Sequence, residues 1–491
     1  MLWSRYNVLY DSPRFGPFLY NAVSNALLDL DDEHYRLLAA MRDSGEAEPP
    51  PAAPEGSVAG DDHDFFAVLQ KYKMLVDAEA DEAALLALRY DRLTRCFDTS
   101  ALTLSICPTL GCDFRCSYCF EDSQDDGAVM DAATVDALIA FIEGLKDIRR
   151  LNITWYGGEP TLAWEVIEEI TRRVAQLDIE LEHASLVTNG YGLDMAKIAR
   201  LNDLKVREVQ ISLDGPAEVH DARRPLAGGA GTFARILETI HAIAGSDYEG
   251  RCRVRVNVDR DNASRVAEVQ GLLADVTADG KVMIYLTRVT GNPACGDGRL
   301  LSNDEWAALE TGLHHEEGVH PPGGIYPAQQ DGVCSATCRS SFVVGPRGEL
   351  YECWDVVGRP EWVTGHLSSE VGATRAQCAE YAVSLDPFDD GLCGTCTVLP
   401  VCGGGCVHQR LLARRAETPL CISPLKDHLV EYLDEYYDGW LARALCTVGL
   451  PFDEESRRRK GYRSVHPAAL TAGRAREDDV KTDDPAQRRM P

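Results

Sequence analysis

The sequence lacks two features that would direct the protein out of the cytoplasm. Its N-terminus, MLWSRYNVLYDSPRFG, has no basic region followed by an apolar run, as a secretory signal would have. No apolar stretch is long enough to cross a bilayer. We therefore expect a cytoplasmic protein that has no membrane partner.

Positive charge is also scarce. The chain has 49 Lys and Arg residues against 78 Asp and Glu, which gives a formal net charge of −29. Proteins that bind nucleic acid broadly neutralise its phosphates with Lys and Arg, so this balance argues against a nucleic-acid partner. The acidity is best explained by solubility. With 45% hydrophobic and 26% charged residues, the composition is that of an ordinary globular protein.

Cysteine, in contrast, is abundant, with 17 residues. In a reducing cytoplasm so many thiols are better explained by metal binding than by disulfides. One set lies in CDFRCSYCFE, where Cys112, Cys116 and Cys119 follow the pattern C-x₃-C-x₂-C, and a second set runs from Cys334 to Cys421. Zinc sites and iron–sulfur clusters usually have four protein ligands. A loop with only three leaves one metal position open for chemistry.

The pattern along the chain predicts five regions. Residues 1–95 alternate like strands and then like helices, which indicates a small α/β module. Residues 100–315 alternate between strands and helices, residues 330–425 are rich in Cys and Gly, residues 426–450 are helical, and residues 455–491 have the composition of a disordered tail.

The region 100–315 contains six strand candidates separated by helical patterns. The strand candidates are ALTLSIC, LNITWY, ASLVTN, EVQISLD, RVRVNVD and VMIYLTR. Six β-α units in succession predict a partial (β/α)₆ TIM-like barrel of the α/β class. In such barrels the site lies at the carboxyl ends of the strands, and each motif described here follows a strand.

The three-cysteine loop, with Tyr118 before its last cysteine, resembles the signature of the radical S-adenosylmethionine (SAM) enzymes. The resemblance implies that Cys112, Cys116 and Cys119 hold a [4Fe–4S] cluster whose open iron chelates SAM. One electron from the reduced cluster then cleaves SAM to a 5′-deoxyadenosyl radical. A structural zinc knuckle with a distant fourth ligand is the alternative, since thiolates suit both metals.

Motifs after the later strands match the same family. WYGGEP resembles its GGEP stretch, in which Gly157, Gly158, Glu159 and Pro160 would meet the amino group of the methionine. The glycines allow close backbone approach, and a carboxylate accepts hydrogen bonds from an ammonium. The resemblance also assigns residues after the other strands to the ribose and carboxylate of SAM: Asn189 in VTNG, Ser212 in ISLDG, Arg224 in HDARRP and Asn257 in RVNVD. The alternatives are a surface salt bridge for Arg224 and a solvated strand end for Asn257.

The second set of cysteines resembles the SPASM extension of radical SAM enzymes. This resemblance implies two auxiliary [4Fe–4S] clusters, and thus three clusters in all. The first would use Cys338, Cys353 and Cys406, with Cys334 as the nearest upstream candidate for a fourth ligand. The second would use Cys393, Cys396, Cys402 and Cys421. A pair of structural zinc sites has the same number of ligands.

SPASM proteins mostly act on peptides or proteins, and two branches compete here. Peptide maturases of the ribosomally made, post-translationally modified class cross-link a precursor peptide, and anaerobic sulfatase maturases form formylglycine. Residues 1–95 resemble the winged-helix-like element that binds a leader peptide as an added strand, which favours the first branch. A flavodoxin or ferredoxin would supply electrons. A non-catalytic iron–sulfur electron-transfer protein is a further alternative.

The residue after Cys353 also separates the two branches. Sulfatase maturases carry a catalytic Asp directly after the matching cysteine, whereas this chain has Trp354 there. Asp355 comes one place later and would point elsewhere if the stretch is extended. It is a candidate base, and a solvated turn carboxylate is the alternative.

Overall fold

The computed structural model describes residues 1–44, 61–121, 127–145, 148–278, 280–291, 297–317, 324–327, 333–368, 376–418, 421–448 and 463–465. Among the helices within these ranges, none has both the length and the apolarity needed to cross a bilayer.

The N-terminal module is a small antiparallel sheet with helices against one face. Its elements are β1 Leu2–Trp3, β2 Asn7–Ser12, β3 Gly16–Asn21, β4 Ala26–Asp29, α1 Asp32–Ser44, α2 Asp61–Lys71, β5 Leu75–Val76 and α3 Ala80–Cys96. Side chains of a strand alternate between faces, and β3 shows the result. Leu19 packs with the residues of α1 and α2, whereas Phe18 and Tyr20 face the C-terminal part of the chain.

The next region is built of parallel strands and helices in alternation. Its elements are β6 Ala101–Ile106, α4 Ala132–Gly144, β7 Arg150–Trp155, α5 Trp164–Val174, β8 Glu180–Thr188, α6 Met195–Arg200, β9 Val206–Ser212, α7 Ala217–Arg223, α8 Phe233–Ala244, β10 Arg251–Val258, α9 Ala267–Leu272, α10 Ala274–Thr277 and β11 Val282–Arg288. The strands lie side by side in the order β11-β10-β9-β8-β7-β6. The predicted six-stranded barrel sheet is thus confirmed, and its buried Leu, Ile and Val residues pack against the helices.

The Cys-rich region continues this sheet. Its elements, with those that flank it, are α11 Asn303–Glu317, β12 Ser341–Val344, β13 Glu349–Tyr351, β14 Gly365–His366, α12 Ala376–Ala379, α13 Leu399–Cys402, α14 Val407–Arg415, α15 Leu425–Val448 and β15 Arg463–Val465. Strand β12 pairs in parallel with β6, and β13 and β14 follow as antiparallel strands, so that one nine-stranded sheet spans both regions. This joins the Cys-rich region directly to the first barrel strand.

Helix α15 connects the C-terminal part of the chain to the N-terminal module. Leu433 and Tyr437 pack with Phe18 and Tyr20 of the sheet, and Arg14 forms an ion pair with Glu435. Within the range predicted to be a disordered tail, Arg463–Val465 forms strand β15, which pairs with β4. The other residues of that range lie outside the described residues.

Candidate active site

The three-cysteine loop follows β6 and is held by backbone hydrogen bonds to the segment after α7. Arg115 N donates to Pro225 O at 2.9 Å, and Ser117 N donates to Arg223 O at 2.9 Å. The HDARRP stretch therefore fixes the loop through its main chain, in addition to any role of its side chains. These hydrogen bonds fix the loop, with its three closely spaced cysteines, at the carboxyl end of the first barrel strand.

The glycines of the GGEP stretch allow the chain after β7 to lie close to the backbone at the start of the cysteine loop. Gly157 has φ +113°, and a Cβ there would lie 2.4 Å from Thr109 O. A Cβ on Gly158 would lie 2.4 Å from Gly111 O. Any other residue would push the β7 end away from the start of the cysteine loop.

Glu159 is fully buried and organises the ends of two strands. Its Oε1 accepts hydrogen bonds from Thr161 N at 3.0 Å and from Thr188 Oγ1 at 2.7 Å, and its Oε2 accepts one from Asn189 N at 2.6 Å. Pro160 begins the turn Pro160–Ala163 directly after it. Burial raises the pKa of the Glu159 carboxyl, and these donors oppose that rise.

Two of the predicted SAM-binding side chains donate to the hydroxyl of a third, Tyr118. Arg224 Nη1 donates to Tyr118 Oη at 2.6 Å, and Asn257 Nδ2 donates to the same oxygen at 3.0 Å. Asn257 Nδ2 also lies 3.4 Å from Ser212 Oγ. Asn189 is placed differently, because its Nδ2 donates to Asp113 Oδ1 at 2.7 Å.

A buried ion-pair network lies beneath these residues, and the sequence analysis missed it. Arg223 donates to Asp259 Oδ1 at 2.7 Å and lies 3.4 Å from Asp214 Oδ2. Asp214 also accepts from Asn257 N at 3.0 Å. Burial acts to raise the pKa of Asp214. The positive charges of Arg224 and Arg223 outweigh this effect and hold the pKa below its ordinary value. Asp214 stands in ISLDG and Arg223 in HDARRP, so both were within the motifs that signalled the site.

Two of the three loop thiols lie in surroundings that oppose their ionisation. Burial raises the pKa of Cys112. Burial also raises the pKa of Cys116, and Arg224 opposes that rise. Because a thiolate is the form that ligates metal, a metal bound by Cys112 and Cys116 would have to offset this cost of ionisation.

The cysteines predicted to form the first auxiliary group come from three places in the chain, namely the turn flanked by Cys334 and Cys338, Cys353, and Cys406. Burial raises the pKa of the Cys353 thiol, and the charges of Asp355, Cys334 and Cys406 raise it further. Burial raises the pKa of Cys338 to about 12, with further contributions from Cys96, Cys334 and Cys378. Cys96 and Cys378 had no predicted role, and both are buried beside this group.

The second auxiliary group lines one cavity. Cys393, Cys396, Cys402 and Cys421 all face it, together with Arg410 and Lys426. Arg410 Nη1 lies 3.2 Å from Cys393 Sγ. Four thiols and two cations around one space suit an anionic cluster, because N–H donors and positive charge stabilise thiolate sulfur.

Asp355 lies where the barrel meets the Cys-rich region. It is in the turn Trp354–Val356, and the Trp354 ring stacks on Tyr156 with centroids 5.4 Å apart. Burial raises the pKa of Asp355, and Arg255 and Arg359 oppose the rise. The carboxylate is therefore partly enclosed and close to cations and to the thiol of Cys353.

The residues at the mouth of the barrel fit an iron–sulfur cluster with a bound nucleotide. The cysteine loop supplies three thiols, and the glycine pair keeps the neighbouring strand end free of side chains. The buried Nε of Arg224 has no hydrogen-bond partner and can donate to an anionic group. In the described ranges, no three Cys, His, Asp or Glu side chains converge closely enough to hold a single metal ion.

Comparison with known proteins agrees with this geometry. Residues 106–271 match the Radical SAM superfamily. The serine-type anaerobic sulfatase-maturating enzyme of Klebsiella aerogenes is 26% identical over 322 residues, which are 60% of this chain and 76% of that protein. The mycofactocin maturase MftC of Mycobacterium tuberculosis is 23% identical over 319 residues, 61% of this chain and 76% of MftC.

A solved structure gives the same result for the fold. Native anSMEcpe with bound AdoMet superposes with a TM-score of 0.54 at 20% identity, covering 70% of this chain and 99% of that one. A 4Fe–4S cluster and SAM are the cofactors that the matched family implies. Residues 106–271 of this chain thus match the radical SAM domain, in a protein that is similar to the sulfatase-maturating enzymes and to MftC.

Proposed function

We propose that this protein is a peptide maturase that installs a cross-link, of the thioether, C–C or C–O type, in a ribosomally made precursor peptide. The observation that carries the proposal is the convergence of Tyr118, Arg224, Asn257 and Ser212 beside a three-cysteine loop. Two further groups of cysteines and an N-terminal sheet module accompany it. Similar proteins that are named as a sulfatase-maturating enzyme and as a mycofactocin maturase support the choice of a macromolecular substrate.

Three [4Fe–4S] clusters are proposed, each with its own ligands. Cys112, Cys116 and Cys119 would hold the SAM-binding cluster. Cys334, Cys338, Cys353 and Cys406 would hold the first auxiliary cluster, and Cys393, Cys396, Cys402 and Cys421 the second. When reduced by a flavodoxin or ferredoxin, the first cluster supplies the electron that cleaves SAM to a hydrogen-abstracting radical.

The chain's own residues would bind and orient SAM. Arg224, whose Nε has no partner, would donate to the carboxylate. The Asn257 and Ser212 side chains would face the ribose. Glu159 would act mainly by holding the backbone at Thr161 and Asn189, since its oxygens already accept four hydrogen bonds. Asp355 would accept a proton from the peptide at the boundary with the Cys-rich region.

Formylglycine formation on a sulfatase is the second candidate. A sulfatase-maturating enzyme is among the similar proteins, and Asp355 lies close to Cys353. Two observations favour the peptide substrate. Trp354 holds the position directly after Cys353 and stacks on Tyr156, and the module before the barrel has a sheet edge of the kind that binds an extended leader. A purely electron-transferring protein would not require the converging residues around Tyr118.

Mass spectrometry of co-expressed substrates tests the proposal. The chain is expressed anaerobically with each short reading frame that neighbours its gene and, separately, with a sulfatase. A cross-link lowers the peptide mass by two hydrogens, and 5′-deoxyadenosine accumulates in step. Conversion of a sulfatase Ser or Cys to formylglycine, with all peptides unchanged, would establish the second candidate. The absence of 5′-deoxyadenosine from the reduced, iron-loaded protein would reject both.

A further inference from the structure

One strand of the N-terminal sheet comes from the other end of the chain. The sheet has the order β15-β4-β3-β2, and β15 runs antiparallel to β4. Arg463 lies opposite Asp29, and Val465 lies opposite Leu27. The edge of β4 that β3 does not use is therefore occupied by the C-terminal tail.

Strand β4 does not depend on this tail for its place. Leu27 and Leu28 are fully buried on opposite faces of the sheet. Leu27 packs with the aromatic residues that face α15, and Leu28 packs with α1 and α2. Strand β15 contributes only three residues, so it adds few hydrogen bonds to an edge that already exists. Such a short added strand is suited to exchange with another.

Charge favours the tail at this edge. Arg463, the first residue of β15, is paired with Asp29, the last residue of β4. The sequence just before it, SRRRKGY, carries four Lys or Arg residues in a chain whose net charge is −29. The sequence just after β4 is acidic, with Asp31, Asp32 and Glu33. Along the sequence, the basic stretch directly precedes Arg463 and the acidic stretch follows Asp29, and these two residues are opposite each other in the strand pair.

We propose that β15 is a built-in competitor for the peptide-binding edge of β4, and that the leader of the precursor peptide displaces it. The inference rests on the proposed function. The leader segment is then an extended strand preceded by basic residues, like the tail itself. Because the tail is tethered, it competes at a high effective concentration. An edge strand covered in this way is also protected from pairing with other proteins.

Proline variants of the full-length chain test occupancy of the edge. Ser464→Pro and Val465→Pro are both made, because the N–H groups of an antiparallel strand point alternately toward and away from its neighbour. Ser464→Ala is the matched control. The probe is a fluorescein-labelled synthetic peptide of residues 456–468, and binding is read by anisotropy. We expect at least one proline variant to bind the probe about tenfold more tightly than the wild type does.

Hydrogen exchange locates the effect. Those amides of residues 27–29 that point toward β15 should lose protection in that variant and regain it when the peptide is added, and a peptide carrying the same proline should not restore it. Equal affinity of the probe for the wild type, Ser464→Ala and both proline variants would overturn the proposal. None of these measurements uses turnover, so they stand apart from the proposed function.

The precursor assay separates the two proposals. If the tail is displaced by the leader, the proline variant modifies the precursor with a KM about tenfold lower at the same kcat, and it cleaves SAM at the wild-type rate without peptide. An unchanged KM with tight probe binding would reject displacement by the leader. Failure of every variant to modify any precursor would reject the proposed function and leave the tail contact standing.

Discussion

The cysteines at the mouth of the barrel and those of the Cys-rich region are assembled in different ways. Cys112, Cys116 and Cys119 belong to one short loop, which main-chain hydrogen bonds attach to residues 223 and 225. The auxiliary cysteines come from positions between Cys334 and Cys421, in short helices and turns. The first site is thus built on a finished sheet, whereas the second must gather its ligands from distant parts of the chain.

Because of this difference, we expect loss of metal to affect chemistry at the first site and folding stability at the second. At the barrel mouth the hydrophobic core and a buried ion-pair network hold the fold, and the metal is needed for reactivity. In the Cys-rich region the thiols themselves are part of the packing, since Cys396 and Cys402 contact the core shared with the N-terminal sheet. Metal bound there should contribute to folding directly. Four predictions test the comparison.

Loss of a ligand at the barrel mouth should have the largest effect on chemistry and a small one on folding. Cys116→Ala should abolish 5′-deoxyadenosine formation and remove about four irons per chain, because the loop cannot keep a cluster with two thiolates. The thermal unfolding midpoint should hardly move. Cys252→Ala, a buried thiol in β10, is the control and should retain both iron and SAM cleavage. Unfolding of Cys116→Ala at the temperature where the wild type is stable would contradict this comparison.

Loss of a ligand in the second auxiliary group should have a large effect on folding stability. Cys402→Ala should lower the free energy of unfolding by about 4 kcal/mol, the size reached when a structural metal is lost. The reason is that the cavity it lines adjoins the core beneath the N-terminal sheet. Chemical denaturation followed by circular dichroism measures the change, with Cys116→Ala as the matched variant. Equal stability of the two variants would show that both clusters are equally peripheral to folding.

Loss of a buried charge in the barrel should have the next largest effect on the free energy of folding. Asp214→Asn removes the anion beside Arg223 and Arg224, and an uncompensated buried charge should cost about 3 kcal/mol of folding free energy. Asp136→Asn, which breaks the exposed pair with Arg173, should cost less than about 0.5 kcal/mol. Denaturant unfolding of both variants measures the difference. Similar values would mean that the network around Asp214 is solvated.

The sequence predicted the parts of this molecule that follow from local pattern. The six barrel strands could be located because each is an apolar run that ends at a motif, and the three-cysteine loop because its ligands are neighbours in sequence. Parallel strands then bring their carboxyl ends to one edge. The resemblance to the radical SAM enzymes grouped Tyr118, Ser212, Arg224 and Asn257 before any contact was known, and their places after parallel strands agree with that grouping.

Other features depend on contacts between distant segments. The pairing of β12 with β6, which merges the Cys-rich region into the barrel sheet, leaves no signal in either strand alone. The same holds for β15 and β4. Asp214 and Arg223 were adjacent to residues that were chosen, but only the packed structure distinguishes the arginine that pairs with Asp214 and Asp259 from the one that reaches Tyr118.

The smallest predicted effect is a pH dependence of the barrel that arises from His220. Burial lowers the pKa of this histidine to about 4. The ring Nδ1 accepts a hydrogen bond from Asp214 N at 3.2 Å. The ring Nε2 lies 3.1 Å from Thr232 Oγ1. Because the Thr232 hydroxyl donates its proton to Arg224 O, Nε2 must be the donor in its contact with that hydroxyl. A second ring proton would face a backbone N–H, so the folded protein keeps the ring neutral.

Stability should therefore fall as the pH is lowered between 6.5 and 4. Above pH 6.5 the His220 ring is neutral in both the folded and the unfolded state. Below pH 6.5 the ring binds a proton in the unfolded chain but stays neutral in the folded chain. We expect a loss of about 1 kcal/mol from pH 7 to pH 5.5, measured by denaturant unfolding. His220→Gln should remove this slope, and the exposed His183→Gln should keep it. A slope that persists in His220→Gln would assign the acid sensitivity to titratable groups other than His220.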